Sequence, residues 1–110
     1  MFTVKKRIEI AGAHRLSLPY ESKCSHLHGH NWIITVTCQS DELNEAGMVI
    51  DFQRIKEIVG QLDHRTLNEV LGDGVNPTAE YIAYWLCKQI PQCVRVEVQE
   101  SEGNVAVYEL

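Results

Sequence analysis

The sequence predicts a single α+β domain over residues 1–110, with an antiparallel sheet and two helices on one face, in the order ββααββ. Three observations predict it: apolar and polar residues alternate near both ends, apolar residues recur at helical spacing in the middle, and turn residues separate the segments. The chain is long enough for one core and too short for two.

Residues 2–11 and 28–38 are the first two segments with the alternation of half-buried strands. After the first, Gly12 favours a bulge or a close backbone approach, and His14 continues the inward parity. Residues 15–27 are predicted to form a loop. The inward apolar residues are Phe2, Val4, Ile8 and Ile10 on the first strand, and Trp32, Ile34, Val36 and Cys38 on the second.

Two helices are predicted next. The first begins after Asp51, a good N-cap, and the second begins with Asn76 as cap and Pro77 in the first helical position. Pro91 ends the second helix. The inward apolar stripes are Phe52, Ile55, Ile58, Val59 and Leu62 on the first helix, and Ala79, Ile82, Ala83, Leu86 and Ile90 on the second.

Two more strands close the domain. Valines alternate with polar residues from Val94 to Val98, and Glu100 continues the inward parity, although a buried charge needs a partner. Residues 101–104 form a turn, and residues 105–110 form the last strand.

Composition excludes several classes of function. The formal net charge is −5 and no long basic run occurs, which argues against nucleic acid as the main partner. No apolar run approaches the roughly 20 residues of a membrane span, and no apolar leader follows the N-terminus, so we expect a cytoplasmic protein. The four cysteines are expected to be unpaired, with Cys38, Cys87 and Cys93 buried.

Residues 24–30 hold one thiol and three of the five histidines. Residues i and i+2 of a strand share a face, so His28 and His30 lie side by side, as two ligands of one ion would. A third histidine would complete a catalytic zinc site with one open position. His14 and His26 are both candidates, but His26, His28 and His30 would span about 13 Å on a straight strand. His14, from another strand, closes the site more easily.

Several short motifs occur along the chain in the order typical of one enzyme family. Together they resemble the 6-pyruvoyl-tetrahydropterin synthase family, which includes the 6-carboxytetrahydropterin synthases, over nearly the whole chain. The motifs are Ala-Gly-Ala-His at 11–14, Cys-X-X-X-His-Gly-His at 24–30, Val-Ile-Asp-Phe at 49–52, Leu-Asp-His at 62–64, Leu-Asn at 67–68, Asn-Pro-Thr-Ala-Glu at 76–80 and Val-Gln-Glu-Ser at 98–101.

The resemblance implies a tunnelling fold (T-fold), in which the ββααββ unit trimerises into an oligomeric barrel and two trimers stack into a homohexamer. It implies that Zn²⁺ is held by His14, His28 and His30. This choice leaves His26 as a loop residue.

The resemblance also assigns the proton chemistry. A thiol near a metal ion and a histidine favours the thiolate form, and the family likeness makes Cys24 the general base. Asp63 and His64 would complete a relay with it, contributed by the adjacent subunit, so that the active site lies at a subunit interface. A carboxylate orienting an imidazole that trades protons with a thiol is reasonable chemistry.

Substrate contacts follow from the same likeness. Glu100 would anchor the pterin by accepting hydrogen bonds from ring N3–H and the 2-amino group, and Thr78 and Glu80 would line the pterin pocket. The triphosphate needs cations, and the nearest candidates in the sequence are Arg15, Lys23 and His26.

The family's substrate is 7,8-dihydroneopterin triphosphate. The short chain and the compact spacing between Cys24 and the histidine pair resemble the bacterial carboxytetrahydropterin enzymes of the family. This resemblance implies the lyase that yields 6-carboxy-5,6,7,8-tetrahydropterin, acetaldehyde and triphosphate, on the route to 7-deazaguanine and queuosine. The alternative within the family is triphosphate elimination to 6-pyruvoyl-tetrahydropterin. Two further alternatives are a zinc- and pterin-binding module without turnover and a hydrolase that uses zinc hydroxide.

Overall fold

The computed structural model describes residues 1–110 as a five-stranded sheet with helices packed on one face. The strand order is β3-β1-β2-β4-β5, and all neighbours are antiparallel except β1 and β3, which run parallel. The strands are β1 (Phe2–His14), β2 (His28–Ser40), β3 (Arg65–Thr66), β4 (Cys93–Ser101) and β5 (Asn104–Glu109); the helices are α1 (Phe52–Gly60), α2 (Leu67–Leu71) and α3 (Ala79–Gln89). The predicted α+β class is confirmed.

The long pair β1 and β2 forms the centre of the sheet. Pairing runs without a register shift from Phe2 opposite Ser40 to His14 opposite His28. A bulge at Gly12 was therefore the wrong alternative, and the close approach is the right one. A Cβ on Gly12 would lie 3.3 Å from both Leu67 and the indole nitrogen of Trp32.

The core lies between this sheet and the helices. Its centre is fully buried and combines β2 residues such as Trp32 and Ile34 with Ile55 of α1 and Leu86 of α3. Cys38, Cys87 and Cys93 are buried in it, as predicted. Two predicted inward residues lie outside the core: Phe2 and Phe52, the first residues of β1 and α1, are each 47% exposed.

The middle of the chain departs from the prediction in two ways. A two-residue strand, β3, and a short helix, α2, intervene between the predicted helices. The second predicted helix, α3, begins at Ala79 with Thr78 as its N-cap, because the side chain of Asn76 bonds the backbone of Ser17 instead of capping the helix.

The sheet of one chain is open. Its edges are β3 and β5, and it does not close into a barrel. The oligomeric barrel stays a prediction. No helix combines the length and the apolar content that a membrane span requires.

Candidate functional site

Three histidines meet at one end of the sheet. His28 and His30 stand on β2, and His14 ends β1 directly opposite His28. The ring centroids are 4.6 Å apart for His14 and His28, 5.3 Å for His14 and His30, and 4.9 Å for His28 and His30. The structure thus gathers the three predicted ligands. His26 lies outside the cluster.

Backbone carbonyls orient two of these rings. Nδ1 of His14 lies 2.7 Å from the carbonyl oxygen of Pro77, and Nδ1 of His28 lies 2.7 Å from that of His26. A carbonyl can only accept, so each Nδ1 carries a proton and each neutral ring presents its Nε2 lone pair. Hydrogen bonds of this kind to Nδ1 fix the tautomer of histidines that bind metals through Nε2.

Trp32 supports the cluster from the core side. Its ring makes edge contacts with His14 and His30, with centroids 5.0 and 5.2 Å apart. Its indole N–H donates to the carbonyl oxygen of Gly12 at 3.0 Å, which satisfies the one polar group of a fully buried ring. The histidines therefore rest on a rigid apolar wall.

Glu100 joins the histidine cluster. Its Oε1 lies 2.9 Å from Nε2 of His30 and 3.3 Å from Nε2 of His14. These distances are within ion-pair range, yet neither buried nitrogen makes a hydrogen bond. With its Nδ1 proton on the Pro77 carbonyl, His14 turns the lone pair of Nε2 towards the Glu100 carboxylate, and the two repel one another unless a cation lies between them.

The donor set fits a metal ion. One candidate ligand atom from each of His14, His28, His30 and Glu100 lies within 4.8 Å of all the others. Burial lowers the pKa of His14, and charge on His28 lowers it further against the opposing effect of the Pro77 carbonyl. The neutral form that binds metal is favoured. Imidazoles with one carboxylate suit zinc and similar divalent ions better than Mg²⁺ or Ca²⁺.

Cys24 lies near the histidines in sequence, but its sulfur is not among the candidate ligand atoms of the cluster. It sits in a single 3-10 turn, Lys23–Ser25, and is partly buried. Its N–H donates to Oγ of Ser22 at 3.1 Å, and its carbonyl accepts from the N–H of Leu16 at 2.8 Å. The backbone of Cys24 is therefore held on both sides, while its role as a base stays a prediction.

Asp63 and His64 form a pair at the edge of β1. Oδ1 of Asp63 accepts from the N–H of Ala11 at 2.9 Å and lies 3.0 Å from Nδ1 of His64, whose own N–H donates to the Ala11 carbonyl at 2.6 Å. The Ala11 N–H, with His64, lowers the pKa of Asp63. His64 adopts the left-handed conformation (φ 57°), and its side chain is 82% exposed.

No hydrogen bond joins Cys24 with Asp63 or His64 in the chain, so the predicted relay is not assembled within one subunit. His64 instead lines an open cleft of about 470 Å³ with Ala11, Asn31 and Arg65. The exposed imidazole is free to meet another molecule.

The predicted pterin residues divide between a cap and a cavity. The side-chain oxygen of Thr78 accepts from the N–H of Tyr81 at 3.1 Å and caps α3. Glu80 and Glu100 line one cavity of about 350 Å³ beside the β4–β5 turn. Contacts of all three with a pterin stay predictions.

The three triphosphate candidates do not meet at one point. Arg15 lines a polar cavity of about 630 Å³ with Ser17 and Ser25. Lys23 and His26 are exposed and do not line it. His26 contributes its backbone carbonyl to His28 instead.

Sequence reasoning missed two parts of the site. The parity of Glu100 placed it on the inward face, but its contact with His30 depends on β4 pairing with β2, where Ile34 lies opposite Val98. The Pro77 carbonyl that holds His14 carries no sequence signal, because any residue has a carbonyl.

Comparisons with known proteins agree with this architecture. A sequence profile of the 6-pyruvoyl tetrahydropterin synthase family matches residues 3–110. The 6-carboxy-5,6,7,8-tetrahydropterin synthase of Synechocystis sp. is 35% identical over 122 residues, covering 98% of this chain and 93% of its own. The Bacillus subtilis protein of the same name is 28% identical over 123 residues, covering 97% and 84%. A putative synthase of that name from Pyrococcus horikoshii is 33% identical, covering 83% and 77%.

Solved structures share the fold. The 6-pyruvoyl tetrahydropterin synthase of Caenorhabditis elegans superposes with a TM-score of 0.78 at 22% identity, covering 99% of this chain and 95% of its own. An uncharacterized protein from Wolinella succinogenes superposes with a TM-score of 0.72 at 20% identity, covering 98% and 97%. The predicted T-fold is confirmed for the single chain.

Proposed function

The chain belongs to the 6-pyruvoyl tetrahydropterin synthase family, and we propose that it is a zinc-dependent carbon–carbon lyase. It would convert 7,8-dihydroneopterin triphosphate to 6-carboxy-5,6,7,8-tetrahydropterin, acetaldehyde and triphosphate, in the cytoplasmic synthesis of 7-deazaguanine and queuosine. The observation that carries the proposal is the cluster of His14, His28, His30 and Glu100. It occurs in a chain whose relatives named 6-carboxytetrahydropterin synthase are 28–35% identical to it.

His14, His28 and His30 would hold the zinc ion through their Nε2 atoms. A bound zinc ion would supply Lewis acidity to the side-chain hydroxyl oxygens of the substrate, which makes the adjacent C–H and O–H bonds more acidic. Glu100 would accept hydrogen bonds from N3–H and the 2-amino group of the pterin, a match between two planar groups. The cavity that Glu80 and Glu100 line together supports the placement of the pterin beside Glu100.

Cys24 would take a proton from the substrate at its sulfur, and His64 would exchange protons with it. Oδ1 of Asp63 lies 3.0 Å from Nδ1 of His64 and would hold the proton on that nitrogen. Nε2 of the same ring would then be left for the proton exchange. Since no hydrogen bond links these two residues to Cys24 within the chain, the relay would form between neighbouring subunits of a hexamer built from two trimers.

A second candidate is 6-pyruvoyl-tetrahydropterin synthesis by triphosphate elimination. The matching family profile carries that name, and so does the structural neighbour from Caenorhabditis elegans. The same zinc site and the same proton relay would serve it, and only the fate of the side-chain carbon–carbon bond differs.

The test is an anaerobic incubation of the zinc-loaded protein with 7,8-dihydroneopterin triphosphate, read by product mass and by acetaldehyde release. Acetaldehyde with 6-carboxytetrahydropterin supports the lyase. A pyruvoyl product without acetaldehyde moves the function to the second candidate. Absence of turnover with zinc and pterin both bound would leave a binding module.

The Cys24→Ala variant separates the lyase from a zinc-hydroxide hydrolase. The lyase loses turnover because its base is gone. A hydrolase would keep its activity, since water would be the nucleophile.

A further inference from the structure

Two asparagine side chains clamp the segment that leaves β1. We name this segment, residues 15–17, the strap. Asn68 accepts from the N–H of Arg15 at 3.0 Å through Oδ1 and donates to its carbonyl at 2.9 Å through Nδ2. Asn76 repeats the pattern on Ser17, with both distances 2.8 Å. Each carboxamide therefore binds a backbone unit as a neighbouring strand would, on alternate residues.

The two clamps come from firmly held elements. Asn68 follows Leu67, which is fully buried beneath Gly12. Asn76 precedes Pro77, whose carbonyl holds the ring of His14. The strap is thus tied to the same parts of the fold that shape the histidine cluster.

The strap also binds Cys24. Leu16, between the two clamped residues, donates its N–H to the carbonyl of Cys24 at 2.8 Å. A continuous path of hydrogen bonds therefore runs from Asn68 and Asn76 through the strap to Cys24. The start of the strap is covalently joined to His14, so the same path relates the thiol to the cluster.

Burial does not explain these bonds. Arg15 and Ser17 are exposed, and water could satisfy their backbone groups at little cost. Four protein hydrogen bonds on an exposed segment fix its shape instead, as is common where a loop positions a functional group.

We propose that Asn68 and Asn76 are positioning residues that set Cys24 relative to the histidine cluster through the strap. Neither touches the reacting atoms. Asparagine is required because each position needs one acceptor and one donor, and aspartate would turn a carboxylate oxygen towards the strap carbonyl. The inference rests on the proposed function only for its activity readout.

The experiment compares Asn68→Ala and Asn76→Ala, which lose both bonds of a clamp, with Asn68→Asp and Asn76→Asp, which keep the acceptor for the strap N–H and lose the donor to its carbonyl. Asn44→Ala is the matched control, because Oδ1 of Asn44 also accepts from two backbone N–H groups, those of Ala46 and Met48, at 2.9 and 3.0 Å. That loop precedes α1 and makes no hydrogen bond with the strap.

Three quantities are measured on zinc-loaded protein: metal content, kcat and KM with the pterin triphosphate, and the rate of alkylation of Cys24 by iodoacetamide, followed by intact mass. The other three cysteines are at most 6% exposed, so the first added group reports Cys24. The alkylation rate does not depend on what the enzyme's reaction is.

We expect the alanine variants to keep their metal and lose about tenfold or more in kcat with little change in KM, since small misplacements of a reacting group are costly. The alkylation rate of Cys24 should change several-fold, and the aspartate variants should be intermediate. Rates of alkylation and turnover equal to those of Asn44→Ala would overturn the proposal.

Two further outcomes are decisive. If the wild type does not turn over the pterin but the clamp variants alter Cys24 alkylation, the positioning role stands and the proposed function fails. If the alanine variants do not fold, the aspartate variants decide by the same two rates.

Discussion

His14 is 1% exposed, and its Nδ1 proton is committed to the Pro77 carbonyl. Its Nε2 is left buried without a hydrogen bond, facing the carboxylate of Glu100 and the ring of His28. An isolated polar atom in such a place destabilises the fold unless something binds it. A cation bound between the donors would give Nε2 of His14 a partner and remove its repulsion with the Glu100 carboxylate.

Replacing His14 by alanine removes one of the proposed ligands. We expect the metal content, measured by inductively coupled plasma mass spectrometry, to fall from about one ion per chain to near zero and activity to be lost. His26→Ala is the control, because it removes an exposed ring and keeps the carbonyl that holds His28. Retention of metal by His14→Ala would contradict the assignment.

Replacing Glu100 by glutamine separates its two possible roles. As a pterin anchor, Glu100 contributes charge-assisted hydrogen bonds, so pterin affinity should fall about 10- to 100-fold while metal content stays unchanged. Fluorescence titration with a dihydropterin and metal analysis measure the two effects. Loss of metal with unchanged pterin affinity would instead make Glu100 a ligand.

The turn between α1 and β3 contains Asp63 and His64, the predicted relay pair. Asp63 and His64 bond both backbone groups of Ala11, so the turn after α1 is tied to the centre of the sheet. The left-handed backbone at His64 is uncommon for a residue other than glycine, and the imidazole of this residue is exposed. Such a conformation persists where surrounding hydrogen bonds hold it, and here the two bonds to Ala11 do so.

The lowered pKa of Asp63 predicts how the stability of the fold changes with pH. Because the folded state depresses it, Asp63 adds stability above the usual aspartate pKa of about 3.9, and this contribution is lost as pH falls through the folded value. Asp63→Asn keeps the acceptor for Ala11 but not the charge. Urea midpoints between pH 7 and pH 2.5 should therefore fall less steeply for the variant, and identical profiles would refute the prediction.

The arrangement of the whole sheet leaves its edges available. β5 is an edge strand with Val105 and Val107 half exposed, and the opposite edge is the two-residue β3. Unpaired strand edges commonly associate with another chain. This supports the proposed assembly of copies into a barrel, in which His64 of one copy could reach Cys24 of the next.

Mixed oligomers test the shared active site. Cys24→Ala and His64→Ala should each be inactive alone. Co-assembled in equal amounts, they should recover about a quarter of wild-type activity. With random assembly, about a quarter of the head-to-tail interfaces join a chain with an intact cysteine to a chain with an intact histidine in the required order. Activity per chain and light scattering are measured together. The double variant co-assembled with either single variant is the control and should recover nothing; if the two single variants also recover nothing, the relay is not shared between copies.

Much of the fold was predictable because alternation and helical spacing are local properties. The inward parity of His14, the N-cap at Asp51 and the core stripe of α1 around Ile55 all follow from neighbouring residues, and all three are confirmed. The prediction was wrong where a distant partner competed. Asn76 was expected to cap α3, but its side chain binds Ser17, and Thr78 caps the helix.

The candidate side chains for the chemistry can be named from the sequence alone: three histidines of matching parity, a nearby thiol, an Asp-His pair and an inward carboxylate. Two contacts appear only in the folded chain: Glu100 lies against His30, and a carbonyl 63 positions away orients His14. These contacts depend on strand order and register. Local pattern leaves both undetermined, because the free energy that selects them comes from packing the sheet against its helices.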